Sequence, residues 1–153
     1  MRPASPAARA VPLRERGNVL VEFALVSTAT LTLMFGIIDF GRALYTYHLV
    51  SNAARSATRY AIVRGSTCTV TGCPATSDSI QAYARGLAPG IAPSSLAVTT
   101  TWSSGMGCND AANQGPGCVV SVQVSYPFRF SVVPLLPAFT MRMISTSQMV
   151  IAQ

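Results

Sequence analysis

Few residues in this 153-residue sequence could perform acid–base, nucleophilic or metal chemistry. His48 is the single histidine, and the five carboxylates include no pair at helical spacing. An HExxH motif, a GxSxG motif and a phosphate-binding glycine loop are all missing, so no group is positioned as nucleophile or base. We therefore predict that the protein is not an enzyme, that it binds no metal and no cofactor, and that His48 is a solvated residue.

The charge distribution favours a membrane protein over a nucleic-acid-binding protein. All 11 basic residues are arginine, and the formal net charge is +6. Four of these arginines lie within the first sixteen residues, directly before a long apolar run: Arg2, Arg9, Arg14 and Arg16. A basic N-terminal segment in front of an apolar run is typical of membrane targeting. The apolar content of 50% also excludes a disordered chain.

The apolar run covers residues 19–38 and reads VLVEFALVSTATLTLMFGII, with Glu22 as its only charged residue. A helix of about 20 residues extends about 30 Å, which is the thickness of the hydrocarbon core of a bilayer. The run is longer than the apolar region of a cleaved secretory signal, and no A-x-A-like site follows it. We predict one transmembrane helix, with a cytoplasmic N-terminus and an exported C-terminal domain.

Glu22 is unusual because a carboxylate at the centre of a bilayer costs about 2.5–3.5 kcal/mol. Its position near the N-terminal end of the helix lowers this cost, since the side chain can approach the interface and the helix dipole favours an anion there. Two interpretations remain open. Glu22 is either a tolerated interfacial charge or a group that pairs with a positive charge on a neighbouring helix.

The residues around Glu22 resemble a type IV prepilin processing site, in which a basic leader ends in glycine (Gly17) and glutamate is the fifth residue of the apolar helix. The segments RERGNVLVEFALV, FGIIDFGRALY and the Asn-Ala-Ala-Arg-x-x-x-Arg-Tyr run at residues 52–60 are together similar to the TadE-like family of tight-adherence pilus proteins. The SYPF sequence at residues 125–128 is similar to the C-terminal strand region of that family. Asn18 departs from the pattern, because classical pilins prefer phenylalanine as the first mature residue.

The resemblance implies that a prepilin peptidase cleaves after Gly17 and leaves Asn18 with a free α-amine. Glu22 of one subunit could then neutralise the amine of a neighbour, with Phe23 at the same contact. The implied partners are the membrane, other pilin-like subunits, the prepilin peptidase and the pilus assembly platform, and no nucleic acid. The implied function is that of a structural minor pilin or pseudopilin-like component in pilus assembly and surface adhesion. The alternative is an inner-membrane-anchored periplasmic scaffold of the assembly machine that stays outside the filament.

The sequence predicts four segments: a cytoplasmic leader (1–17), a transmembrane helix (18–38), an extramembrane continuation of that helix (39–63) and a small exported α+β domain (64–153). One face of the continuation contains mostly small residues within about 80° of arc: Ala43, Tyr47, Val50, Ala54, Ala57 and Ala61.

Alternating apolar residues predict strands at 96–102, 120–130 and 141–152, and residues 78–87 predict a short helix capped by Ser77 or Asp78. The expected fold class is α+β and pilin-like, with the long helix packed on a small antiparallel sheet. We expect the apolar link 130–140 to be a buried corner rather than an exposed patch.

The four cysteines allow three disulfide connectivities. Because the domain is expected to be exported, disulfides are favoured over zinc, and the cysteine separations fit no common zinc finger. Each local pair brackets a segment rich in Gly, Pro, Thr or Asn, which has little apolar surface to order itself. We therefore predict the local pairing Cys68–Cys73 and Cys108–Cys118.

Overall fold

The computed structural model describes residues 13–103, 108, 114–130 and 139–152, with side chains from residue 17 onwards. Its elements in chain order are helix α1 (Leu13–Ile62), helix α2 (Ser77–Gly86), a single 3₁₀ turn (Pro93–Ser95) and strands β1 (Ala97–Ser103), β2 (Val119–Arg129) and β3 (Thr140–Val150). The chain divides after Ile38 into two compact units, and the second unit begins at Asp39. The predicted α+β class, a long N-terminal helix and a small antiparallel sheet, is confirmed.

Helix α1 begins at Leu13, upstream of the predicted start at Asn18. The residues before Gly17 are leucine, arginine and glutamate, all of which favour helix, so the helix continues across the glycine. Its end at Ile62 lies one residue before the predicted end.

The C-terminal part of α1 packs against the sheet through small side chains. Val50, Ala54 and Ala57 are fully buried in a core that also contains the inward residues of β2. The Thr58 hydroxyl donates to the carbonyl of Ala54 at 2.8 Å and to that of Ser147 on β3 at 3.3 Å. Small side chains allow the helix backbone to approach the strands closely, as the spacing of the alanines predicted.

Tyr47 corrects the predicted packing face, because half of its surface (50%) is exposed. The buried positions at this level of α1 are Asp39, Thr46 and Val50. A helix turns 100° per residue, so this set leaves Tyr47 at the border of the buried stripe. The prediction failed because it admitted only apolar residues to the buried face, whereas two polar residues occupy it.

The sheet has the order β1-β2-β3, and both pairings are antiparallel. β2 is central, and Val122 lies opposite Thr100 of β1 and Ser147 of β3. The inward side chains of β2 are buried, as its alternation predicted: Val120, Val122, Val124 and Phe128. Met143 on β3 and Ile151, directly after that strand, are buried on the predicted face. Most of the apolar link, residues 131–138, lies outside the described residues. The expectation that this link is a buried corner therefore stays a prediction.

Helix α2 begins at Ser77, one residue earlier than predicted, and Thr76 is its N-cap. The Thr76 hydroxyl oxygen accepts a hydrogen bond from the amide of Ser79 at 3.3 Å, which satisfies a donor that the first helical turn leaves free. The Gln81 side chain donates to the carbonyl of Val98 at 3.3 Å and so connects α2 to β1. The predicted caps, Ser77 and Asp78, are therefore wrong by one or two residues.

Candidate functional site: the exposed part of helix α1

The residues of the predicted processing site all lie within α1: Gly17, Asn18, Glu22 and Phe23. Asn18 and Glu22 are four residues apart, so they share one face of the helix. Glu22 is exposed, and Phe23 is 70% exposed. A Cβ built on Gly17 meets no described atom within 4 Å. The structure thus places these four residues on adjacent, accessible turns, while their roles in cleavage and subunit pairing stay predictions.

The apolar part of α1 is exposed along its whole length. Between residues 18 and 38 every residue is exposed except Ser27, which is half-buried. The best 18-residue window has a mean hydropathy of 1.8, and none of it is buried. A water-soluble monomer rarely exposes so large an apolar surface. By length and composition α1 can cross a membrane once, although an N-terminal signal sequence shares these properties.

Three threonines interrupt the apolar surface, and their hydroxyl groups bond within the helix. Thr28 donates to the carbonyl of Ala24, Thr30 to that of Val26, and Thr32 to that of Thr28, each at 2.8 Å. Hydroxyl groups without partners are costly in hydrocarbon, where no water replaces the missing hydrogen bond. These bonds to the preceding turn make the threonines compatible with a lipid environment.

Asp39 is a buried carboxylate that sequence reasoning did not identify as part of a site. Only 3% of its surface is exposed, and its Oδ1 accepts a hydrogen bond from Nη1 of Arg42 at 2.9 Å. The Arg42 guanidinium also lies 5.8 Å from the centre of the Phe128 ring on β2. The ion pair is local to one helical turn, so the i, i+3 spacing of the two charges was the available sequence signal. Its burial depends on residues distant in sequence.

The four cysteines form two disulfides in the structure, Cys68–Cys73 and Cys108–Cys118. The Cα atoms are 5.8 Å apart in the first pair and 5.7 Å apart in the second. Cys118 directly precedes β2 and contributes to the core. These are the two pairs predicted from the sequence, and peptide mapping of the protein can test them.

His48 lies exposed on α1, and its ring centre is 6.3 Å from that of Tyr47. Within the part of the chain that the structure describes, no group of three or more His, Cys, Asp or Glu residues is arranged to hold a metal ion.

Comparison with known protein families finds a match, and it covers the exposed part of α1. Residues 17–59 match the family model of TadE-like proteins, which confirms the resemblance read from the sequence motifs. No curated protein and no solved structure matches the chain. The family match indicates a pilus-associated protein, and the one apolar helix found among the described residues fits membrane association. The part of this chain that is similar to TadE-like proteins therefore extends from Gly17 to Arg59 and includes the whole apolar span.

Proposed function

We propose that the protein is a structural minor pilin or pseudopilin-like subunit of a tight-adherence pilus system. One observation carries the proposal. The TadE-like match begins at Gly17, the residue after which the leader would be cut, and includes the exposed apolar part of α1, residues 18–38. A processing site directly followed by an unpaired apolar helix is what a subunit needs if it is first held in a membrane and then packed among similar helices.

In this proposal residues 1–17 are a cytoplasmic leader, 18–38 span the inner membrane, 39–63 continue the helix and 64–153 form the exported domain. Removal of the leader gives Asn18 a positive α-amine one helical turn from Glu22. Within one subunit the Asn18 amine and the Glu22 carboxylate both lie near the membrane–water interface. Between helices, Glu22 of one subunit neutralises the amine of its neighbour, which offsets the cost of removing both charges from water.

Two measurements on cells that express the full chain test this function. Mass spectrometry of the native N-terminus reports whether the chain starts at Asn18. Fractionation of sheared surface filaments reports whether the processed chain enters the pilus. We expect a mature chain that starts at Asn18 and is recovered with the filaments.

The other outcomes each contradict the proposal in a distinct way. An intact leader and a chain confined to the membrane indicate an anchored scaffold of the assembly machine. A chain cut beyond residue 38 indicates a secreted protein whose helix α1 served only as a signal.

A further inference from the structure

One end of the 39–153 unit has an open apolar groove of about 480 Å³. Its walls are formed by Phe40, Leu44 and Tyr47 of α1 together with Met141 and Ile144 of the edge strand β3. These five side chains are between 47% and 64% exposed. A contiguous exposed apolar surface of this kind is typical of a site that binds another protein or a membrane.

The opposite flank of α1 at the same end of the unit has a second groove, of about 510 Å³, with a different character. Arg42 and Arg129 line it together with Tyr45 and Tyr126. Arg142, on β3, borders the apolar groove. The nearest carboxylate among the described residues, Asp39, is buried and bonded to Arg42, so the exposed charge at this end is positive.

The position of these residues along α1 relates them to the apolar span. Phe40 lies two residues after Ile38, which is about 3 Å along the helix axis. Tyr47 lies nine residues after Ile38, which is about 14 Å. The polar headgroup layer of a bilayer is about 5–8 Å thick on each side. Helical side chains lean toward the N-terminus of their helix, which brings Leu44 and Tyr47 back toward that layer.

We propose that this end of the unit is a phospholipid-binding collar. It consists of an apolar set on one flank of α1, an arginine that borders this set, and two arginines on the opposite flank: Phe40, Leu44, Tyr47, Met141 and Ile144; Arg142; and Arg42 and Arg129. The apolar side chains enter the interfacial region of the outer leaflet, and the arginines bind lipid phosphates. Aromatic residues and arginines with long apolar stems are the residues that favour this depth. The inference rests on the proposed membrane span of α1.

A bilayer fits the two grooves better than a protein partner does. A protein partner covers one contiguous patch, whereas the apolar and cationic grooves lie on opposite flanks of one helix. A lipid surface surrounds a helix that crosses it and contacts both flanks at the same level. It also supplies apolar chains and negative phosphates within a few ångströms of each other.

Quenching of a single tryptophan tests the collar in the full chain, with Trp102→Phe as background. The chain is reconstituted in phosphatidylcholine vesicles whose acyl chains are brominated. We expect Ile144→Trp to be quenched by the brominated lipid. The matched control Gln148→Trp, which is exposed on the same face of β3 but about 13 Å further along the strand, should not be quenched. A third variant, Leu25→Trp, reports the span itself and should be quenched.

A second arm tests the charges with vesicles that contain phosphatidylglycerol. The anionic lipid should increase the membrane-docked fraction of the Ile144→Trp chain, and adding Arg129→Gln or Arg142→Gln should reduce the docking equilibrium about fivefold per arginine. Arg55→Gln, at an exposed position on α1 outside the collar, should leave it unchanged. Equal effects of Arg55→Gln and the two collar substitutions would contradict specific phosphate binding.

The outcomes separate the collar from the proposed function. Quenching of Leu25→Trp without quenching of Ile144→Trp overturns the collar and leaves the membrane span intact. Equal quenching of Ile144→Trp and Gln148→Trp also overturns it, because the unit then has no preferred lipid-facing end. If the tryptophan emission of Ile144→Trp shifts to the blue as the protein-to-lipid ratio rises, and does not depend on bromination, the groove is covered by a second copy of the chain. Absence of quenching at Leu25→Trp overturns the span and the collar together.

Discussion

Gly17 and Glu22 are the residues on which processing and assembly depend in the proposed function. Both lie on an exposed part of α1, and a Cβ atom at Gly17 meets no described atom within 4 Å. Substitutions at these positions therefore test recognition by other proteins rather than the stability of the fold. Each residue gives one prediction.

Gly17→Leu should block removal of the leader, because the peptidase that reads the residue before the cut requires a small side chain. The measurement is the mass of the chain in the membrane fraction. Gly36→Leu is the matched control, since Gly36 also lies in α1 with open space around it. A mature mass equal to that of the unsubstituted chain in Gly17→Leu shows that the cleavage site is elsewhere.

Glu22→Ala should leave membrane insertion intact or improve it, because the substitution removes a charge that costs about 2.5–3.5 kcal/mol at the bilayer centre. Incorporation with partner subunits should fall, since the amine of the neighbouring Asn18 loses its counter-charge. Co-purification with pilin-like subunits and counts of surface filaments measure this. Thr30→Ala, exposed in the same span, is the control. Normal filaments in Glu22→Ala identify Glu22 as a tolerated interfacial charge.

At the scale of elements, α1 depends on small residues where it meets the sheet. Ala57 is fully buried, and the core around it includes Val120, Val122 and Val124 of β2. A larger side chain there has no free volume and must displace the strand or adopt a strained rotamer. Asn52, five residues earlier on the outward side of α1, is exposed and has room for a larger side chain.

Ala57→Leu should lower the free energy of unfolding of the 39–153 unit by about 1–3 kcal/mol, because it overpacks the contact between α1 and β2. Asn52→Leu, at an exposed position on the same helix, should change it by less than about 0.5 kcal/mol. Denaturant unfolding of the full chain in detergent, followed by near-ultraviolet circular dichroism, measures both. Equal effects of the two substitutions would contradict close packing at Ala57.

At the scale of the whole molecule, two disulfides and a buried side-chain hydrogen bond link the long connections between elements. The connection from α1 to α2 includes the Cys68–Cys73 disulfide, and the Gln114 side chain donates to the carbonyl of Ala75 at 2.8 Å. Gln114 is 1% exposed. The Cys108–Cys118 disulfide closes a ten-residue separation directly before β2. Both disulfides bracket segments rich in Gly, Pro, Thr or Asn, which offer few apolar side chains for a core.

Non-reducing peptide mapping should recover Cys68–Cys73 and Cys108–Cys118 peptides from the exported protein. Removing the second disulfide with Cys108→Ser and Cys118→Ser should lower stability by about 2–3 kcal/mol, because the unfolded chain regains the entropy of a ten-residue loop. Thermal unfolding under non-reducing conditions measures this change. A Cys68–Cys118 or Cys73–Cys118 peptide, or free thiols with bound zinc, would refute the local pairing.

The sequence by itself determined the features that depend on local periodicity and on motifs. The apolar run 19–38, the alternation of Val120 to Phe128 and the alanine spacing of α1 are enough to predict a long helix on an antiparallel sheet. The TadE-like motifs lie within about one third of the chain and need no tertiary contact to be recognised. Local patterns succeed here because each residue's environment repeats with the period of its own helix or strand.

The tertiary structure alone decided which polar residues enter the core and which apolar ones stay outside. Asp39 and Thr46 are buried because Arg42 supplies a side-chain partner to the first and a backbone carbonyl to the second, so neither polar group is left without a hydrogen bond. Tyr47 is exposed because the groove between α1 and β3 is not filled by this chain's described residues. That groove joins residues almost one hundred positions apart, and a spacing rule has no access to such a pairing. The hydrogen-bond partner of both polar groups is local, but the residues that shield them from water are distant in sequence and come together only when the chain folds.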